Sequence, residues 1–222
     1  MATPRRDSAP DFAHLRARMV QDYVAGRGIK DERILQAMRD VPRHLFVPTL
    51  VAAKAYGAGA LPIGAKQTIS QPYIVARMIE LLDLTGKEKV LEIGTGTGYQ
   101  AVVLSKLCAK VFSIERVNEL ALRAAELIRT LKIYNASVKV FDGTYGWSDQ
   151  APFDRIIVAA AAPEVPKPLL EQLSRTGKLV IPIGEAGNQR LARVMRVGTR
   201  VQIEDCGTAE FVPLVGKFGW KE

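Results

Sequence analysis

Chemistry in this chain gathers around three short stretches. The first is Glu92-Ile93-Gly94-Thr95-Gly96-Thr97-Gly98, which follows the apolar Val90-Leu91 and leads into a helical pattern opened by Tyr99 and Gln100. Glycines at a strand-to-helix turn let the backbone bend tightly and let a ligand approach without meeting a Cβ. The helix start then offers free N–H groups to an anionic group. Tight turns without ligands use glycine too, so the neighbours matter. The next apolar run, Val111 to Glu115, ends in an acid 21 residues after Gly94. That is close to the separation at which a carboxylate on a second strand's tip accepts ribose hydroxyls. Taken alone, Glu115 would read equally well as a surface glutamate.

Two kinds of adenosine-containing ligand suit such a site. The dinucleotide fingerprint is G-x-G-x-x-G, whereas the spacing here is G-x-G-x-G, and Tyr99 stands where the last glycine would fall. No pyrophosphate needs a cradle in that arrangement; the anion to be held would be an amino-acid carboxylate. The second stretch, Phe141-Asp142-Gly143, follows a further apolar run. An acid there can accept from an adenine amino group while the glycine lets the ring lie against backbone, although Asp-Gly is also an ordinary turn pair. Spacing, Glu92 and Asp142 together favour S-adenosylmethionine over NAD. The candidate donor site is therefore Glu92, Gly94, Thr95, Gly96, Gly98, Tyr99, Gln100, Glu115, Arg116, Asp142 and Gly143. An NAD-dependent or non-catalytic Rossmann protein is the alternative.

The third stretch, Leu61 to Pro72, alternates apolar and polar residues and is punctuated by Gly and Pro. Ser70 before Gln71-Pro72 and the amphipathic Ile74, Met78, Ile79 and Leu82 predicts a helix with Ser70 as its N-cap. A serine at a helix mouth beside a cofactor loop can also hydrogen-bond a substrate carboxylate, with Gln67, Thr68 and Lys66 nearby. Only His14 and His44 are present, in no metal-ligand spacing, so neither a metal centre nor a Ser-His-Asp constellation is expected. A nucleophile already anionic at neutral pH would need no base.

These residues require a scaffold. The N-terminal part reads as helical over 11–24, 31–38 and 49–55. From residue 86 short apolar strands (89–93, 111–115, 138–141, 155–159, 179–183) alternate with helices (99–107, 118–131, 166–173), which implies a parallel sheet covered on both faces. Strands over 191–197, 201–206 and 211–215 would add an antiparallel edge. The expectation is one α/β domain over 1–222, with a helical extension and substrate loop (1–85) and a Rossmann-like, cofactor-binding core (86–222).

Composition narrows the class. The net charge of +8 is spread along the 222 residues in no block of like charges, and the nearest approach to a stripe, Arg190, Arg193, Arg196 and Arg200, reads as a solvated face. An RNA acceptor would call for a clustered basic face, so no nucleic acid is expected as partner. No apolar run is long enough to span a bilayer, and Met1 to Asp7 has no apolar stretch behind its arginines, so no secretory signal is expected. Cys108 and Cys206 lie outside any C-x-x-C spacing, which suits a reducing cytoplasm with both thiols as small core residues. A monomer is the expectation, since no apolar stripe is left over.

Several segments resemble protein-L-isoaspartate O-methyltransferases of the bacterial and archaeal type: Ala60 to Gly64, Gln67 to Pro72, Val90 to Gln100, Pro152 to Val158, Arg27-Gly28-Ile29, Val41-Pro42-Arg43, Leu179 to Gly184 and Phe211 to Leu214. The resemblance runs from about Met19 to about Val215, and Gln67-Thr68-Ile69-Ser70 is its most specific part. It implies a seven-stranded class I methyltransferase sheet and a cytoplasmic enzyme that methylates the abnormal α-carboxylate of isoaspartyl residues in proteins and peptides. The resulting ester would cyclise to a succinimide. It also implies Ser70 as the active-site serine, Glu115 and Asp142-Gly143 as ribose and adenine contacts, and Gln67, Thr68, Ile69, Val212 and Pro213 as walls of the peptide groove. Gly57-Ala58-Gly59 and Lys66, where a glycine is usual, depart from the pattern.

Overall fold

The computed structural model describes residues 11–221, so Met1 to Asp7 lie outside the described residues. The N-terminal part folds as α1 (Phe12–Tyr23) and α2 (Glu32–Asp40), each started by an aspartate. Asp11 accepts from the amides of Ala13 and His14, both at 3.1 Å, and Asp31 accepts from Arg33 N at 2.9 Å, occupying amides that a helix start leaves unpaired. Ile34, Leu35 and Met38 form the buried stripe of α2. The helix expected over 49–55 is instead a 3-10 segment, Thr49–Lys54. None of its residues is buried, so no apolar stripe pulls it into an α-helix.

A hairpin the residue pattern does not announce follows. β1 (Leu61–Gly64) pairs antiparallel with β2 (Gln67–Ile69). The two-residue turn, Ala65-Lys66, has positive φ at both positions, 49° and 56°, which matches the strand twist but is unfavourable for residues with a Cβ. Lys66 thus occupies a backbone conformation that a glycine would adopt freely.

α3 (Pro72–Leu81) begins with proline at its first turn and has Gln71, not Ser70, at the N-cap, with no side-chain capping bond. The expectation for Ser70 fails for a physical reason. Pro72 has the fixed φ suited to the first helical residue and disfavours helical backbone in the residue before it, so the cap falls on Gln71. The serine hydroxyl is left out of the helix.

The core sheet has seven strands in the order β5-β4-β3-β6-β7-β8-β9. β3 (Lys89–Ile93), β4 (Lys110–Glu115), β5 (Ala136–Val140), β6 (Phe153–Val158) and the start of β7 (Leu173–Ile183) run parallel. β8 (Gln189–Val197) and β9 (Arg200–Ala209) close the edge antiparallel. α4 (Tyr99–Ser105), α5 (Asn118–Thr130) and α6 (Lys167–Glu171) are the connecting helices. Alternation along the strands fills two cores: Val90, Ile157 and Val180 pack on one face with the N-terminal helices, while Leu91, Ile156 and Leu179 pack on the other. Each such buried side chain contributes roughly 1.5–3 kcal/mol.

The expected strand over 211–215 is absent. Pro213 cannot donate to a ladder, and the segment makes only isolated bridges, Ala161 to Pro213 and Val215 to Trp220. Those bridges hold it across the carboxyl ends of the strands. The arginine stripe lies on the antiparallel edge with Arg190 and Arg200 exposed: Arg190 donates to Asp205 and Arg193 to Glu204, each with its shortest contact at 2.6 Å, and Arg196 donates to the Leu173 carbonyl at 2.8 Å. Cys108 is buried, whereas Cys206 is only half-buried. No helix among the described residues is long and apolar enough to cross a membrane.

Replacing Lys66 by glycine should raise stability by about 1 kcal/mol, net of glycine's larger unfolded-state entropy. A urea-unfolding midpoint that does not rise in Lys66→Gly would show that the turn carries no strain.

Candidate active site

The strand order reverses direction between β3 and β6, and a crevice outside the carboxyl ends is where open α/β sheets take ligands. A cleft of about 690 Å3 lies there. One wall comes from the glycine turn and the strand tips, with Gly94, Gly96, Glu115, Arg116 and Gly143; the other comes from Gln67, Thr68, Ile69 and Ser70 of the hairpin and from Val212 and Pro213. Tyr99 and Gln100 line it as well. Among the candidate residues, Glu92, Thr95, Gly98 and Asp142 are not on its surface.

Each of those four is nevertheless tied to the wall. The turn from β3 to α4 passes through Gly94, Gly96 and Gly98 at φ of 90°, 54° and 84°, a run that side-chain-bearing residues would populate only under strain. Glu92 is wholly buried beneath it and accepts from Gln100 Nε2 at 3.0 Å and from the Ser113 hydroxyl. Ser113 in turn hydrogen-bonds Thr95 Oγ1. Strand register explains the pairing, since Glu92 stands opposite Ser113 in the β3–β4 ladder. Burial pushes the Glu92 carboxyl up to about 7, the two hydrogen bonds pull it back only in part, and the Glu115 charge raises it further.

Glu115 closes the turn from the other side. One of its oxygens accepts the Gly96 amide and the other accepts the Val117 amide, both at 2.9 Å. A carboxylate has about four acceptor sites, so two amides leave capacity facing the cleft. Asp142 has a different commitment. Its Oδ1 accepts from the Thr144 amide (2.9 Å) and hydroxyl (2.7 Å), and its Oδ2 accepts from the Lys217 amide at 2.9 Å. It fixes Gly143 on the wall and pins the C-terminal segment. A Cβ on Gly143 would fall 2.4 Å from Ile93 Cγ2, so only glycine fits that corner.

Ser70 sits at the end of β2 with its hydroxyl unengaged among the described residues, while its carbonyl accepts from Arg43 Nη2 at 2.6 Å. Two charged cleft residues lay outside the sequence assignment. Arg27 stacks its guanidinium 3.8 Å over the Tyr73 ring, and Glu210 lies just beyond β9 on the opposite lip. Arg27 belongs to a recognisable Arg-Gly-Ile segment, but nothing local to it says that a 3-10 turn in the extension will reach a cleft. Among the described residues no cluster of three His, Cys, Asp or Glu could hold a metal ion.

The family model described as Protein-L-isoaspartate(D-aspartate) O-methyltransferase matches residues 15–219. The chain belongs to that family. A protein-L-isoaspartate O-methyltransferase from Trichlorobacter lovleyi is 49% identical over 212 residues, covering 95% of this chain and 98% of the relative. One from Syntrophobacter fumaroxidans is 51% identical over 211 residues, covering 95% and 99%. Among solved structures, a protein-L-isoaspartate O-methyltransferase superposes with a TM-score of 0.83 at 26% identity, over 92% of this chain and 67% of that one. A Plasmodium falciparum beta-aspartate methyltransferase in complex with S-adenosyl-L-homocysteine gives 0.74 at 25% identity, over 89% and 96%. The family is S-adenosylmethionine-dependent and acts on isoaspartyl-damaged proteins, and this chain is such a methyltransferase.

Because the folded state favours neutral Glu92, its contribution to stability is full below the ordinary value of 4.5 and is lost as pH rises through about 7. Glu92→Gln keeps an acceptor for Gln100 and removes the buried charge. Urea unfolding should show wild type losing about 1 kcal/mol between pH 6 and pH 8.5 that the variant retains; parallel pH profiles would refute the buried-acid assignment.

Proposed function

We propose that the cleft carries out methyl transfer to the isoaspartyl α-carboxylate by in-line displacement, the new O–CH3 bond forming as the sulfonium S–CH3 bond breaks and S-adenosylhomocysteine leaves, with Ser70 as the residue that orients the acceptor. One observation carries the reading: the hairpin end and the glycine turn face each other across a single cleft, so acceptor and donor can meet in it. Bound S-adenosylmethionine supplies an electrophilic methyl group, which a carboxylate attacks without help from a base.

The chain's own residues then have positioning work only. Glu115 accepts the ribose hydroxyls with the acceptor sites that Gly96 and Val117 leave over. Gly94 and Gly96 present bare backbone, Tyr99 and Gln100 complete that wall, and Arg116 lies beside the ribose end. Gly143 lets the adenine ring approach backbone, and Asp142 acts there by holding Gly143 and the 216–217 segment in place. Glu92, Thr95 and Gly98 shape the turn from beneath. Gln67, Thr68, Ile69, Val212 and Pro213 form the groove that takes extended peptide and excludes water. The Ser70 hydroxyl, unspent on capping, donates to the carboxylate. The product ester cyclises to a succinimide without further help from the protein.

We also assign the whole chain, 1–222, to one methyltransferase domain acting as a cytoplasmic monomer on isoaspartyl proteins and peptides. A nucleic-acid acceptor is disfavoured by the pairing of Arg190 and Arg193 with Asp205 and Glu204, which neutralises two of the four arginines of that stripe.

Two measurements test the proposal. Labelled donor offered to matched isoaspartyl and aspartyl peptides should place base-labile label on the first alone; equal labelling would refute the acceptor assignment. Ser70→Ala should lower kcat by roughly tenfold or more with donor affinity intact. Full turnover in that variant would remove Ser70 from the mechanism.

A further inference from the structure

Arg43 is 0% exposed, a whole guanidinium taken out of water. No carboxylate among the described residues pairs with it. Its Nε donates to the Ala55 carbonyl at 2.8 Å and its Nη2 to the Ser70 carbonyl at 2.6 Å. The guanidinium lies 4.7 Å from the centre of the Tyr99 ring. Nη1 and the buried Tyr99 hydroxyl make no hydrogen bond of good geometry, although the guanidinium and that hydroxyl attract each other.

That is a poor arrangement for stability. A buried cation without a counter-ion, and with a donor left unmade, is costly, and an apolar side chain of similar volume often serves a core as well or better. What the guanidinium does that no apolar residue can is hold chain segments together from fixed directions. Its planar fork presents several donors at set angles. Here it ties the end of the 3-10 segment at Ala55 to the end of β2 at Ser70, while resting on Tyr99, the first residue of α4 and part of the cleft wall. The hairpin makes only a short two-stranded ladder of its own, and a two-stranded hairpin is marginal in isolation. Ser70 also lies beyond the last paired residue, Ile69, and outside the helix that starts at Pro72. The described contact that fixes its backbone from the side is the bond from Arg43.

We propose that Arg43 is a positioning residue: it clamps the Ser70 backbone so that the serine hydroxyl faces the donor across the cleft. The proposal rests on the role given above to Ser70. It assigns Arg43 no contact with substrate.

The experiment compares Arg43→Lys and Arg43→Met with wild type, alone and combined with Ser70→Ala. Circular dichroism and thermal melting first establish that the variants fold; Arg43→Lys, which keeps the charge and can reach one carbonyl, carries the test if Arg43→Met does not. S-adenosylhomocysteine affinity should stay within about threefold of wild type. On an isoaspartyl peptide kcat/KM should fall about tenfold or more in Arg43→Met and by less in Arg43→Lys, since a buried bond to a charged donor is lost or weakened. In the Ser70→Ala background the same Arg43 substitutions should cost far less, because there is no hydroxyl left to aim. Peptide kinetics within about twofold of wild type in the folded Arg43 variants would overturn the proposal. So would a loss that is fully retained in the Ser70→Ala background, which would mean that Arg43 acts independently of the serine. Wild-type turnover in Ser70→Ala alone would instead overturn the role of Ser70, and the clamp proposal with it.

Discussion

The Glu115 carboxylate accepts the Gly96 amide with one oxygen and the Val117 amide with the other, and in doing so joins the tip of β4 to the turn that leaves β3. That turn has to redirect the chain at the middle of the sheet with bare backbone facing a ligand. Its three glycines have no side chains to hold it there. The restraint comes from Glu115 at its edge and from Glu92, Ser113 and Thr95 beneath it. Any other shape for this turn would displace Tyr99 and Gln100, and with them one wall of the cleft.

The two acids illustrate how position decides chemistry. Glu92 and Glu115 are both buried, and burial pushes the Glu92 carboxyl up to about 7. It stands on the face of β3 that looks toward α4, where the available partners are a serine and an amide. Glu115 sits at a strand end, takes two backbone amides, and keeps a side toward the cleft. The first is a structural acid beneath a ligand loop and the second is the one placed to meet a ligand.

The acceptor side is built by different means. A short hairpin with an unfavourable two-residue turn, a proline-started helix and a C-terminal segment returning across the strand ends all converge on it. The helix α3 is anchored by its buried Val75, Ala76, Met78 and Ile79, whereas the hairpin and the C-terminal segment have no core of their own. They are held by single directional contacts: Arg43 to Ser70, Asp142 to Lys217, and Trp220 Nε1 to the Ala161 carbonyl at 2.9 Å. Such contacts suit a groove that must admit a protein segment, because they fix a shape without filling the space in front of it.

Much of the core is legible in the residues themselves. Strand and helix periodicity over 89–131, the glycine spacing and the acid at 115 are local signals, governed by neighbours along the chain, and they place the elements of one cleft wall within a residue or two. The hairpin, the cap at Gln71 and the bridging role of 211–215 are not local. Leu61 to Ile69 is too short to show a period, Pro72 moves a cap by one residue, and Pro213 turns an apparent strand into a strap. Asp142 reads as a ligand contact along the chain, and folding adds a structural partner from far away, the Lys217 amide on its Oδ2. Arg43 and Arg27 gain their places only because the extension packs against the cleft. What the amino-acid sequence by itself determined was the donor loop, the sheet and the family, since these follow from periodicity and backbone freedom. That Arg27 and Glu210 reach the cleft, and that Glu92 and Asp142 lie behind its surface, was decided by the tertiary structure, because that depends on partners brought from tens of residues away.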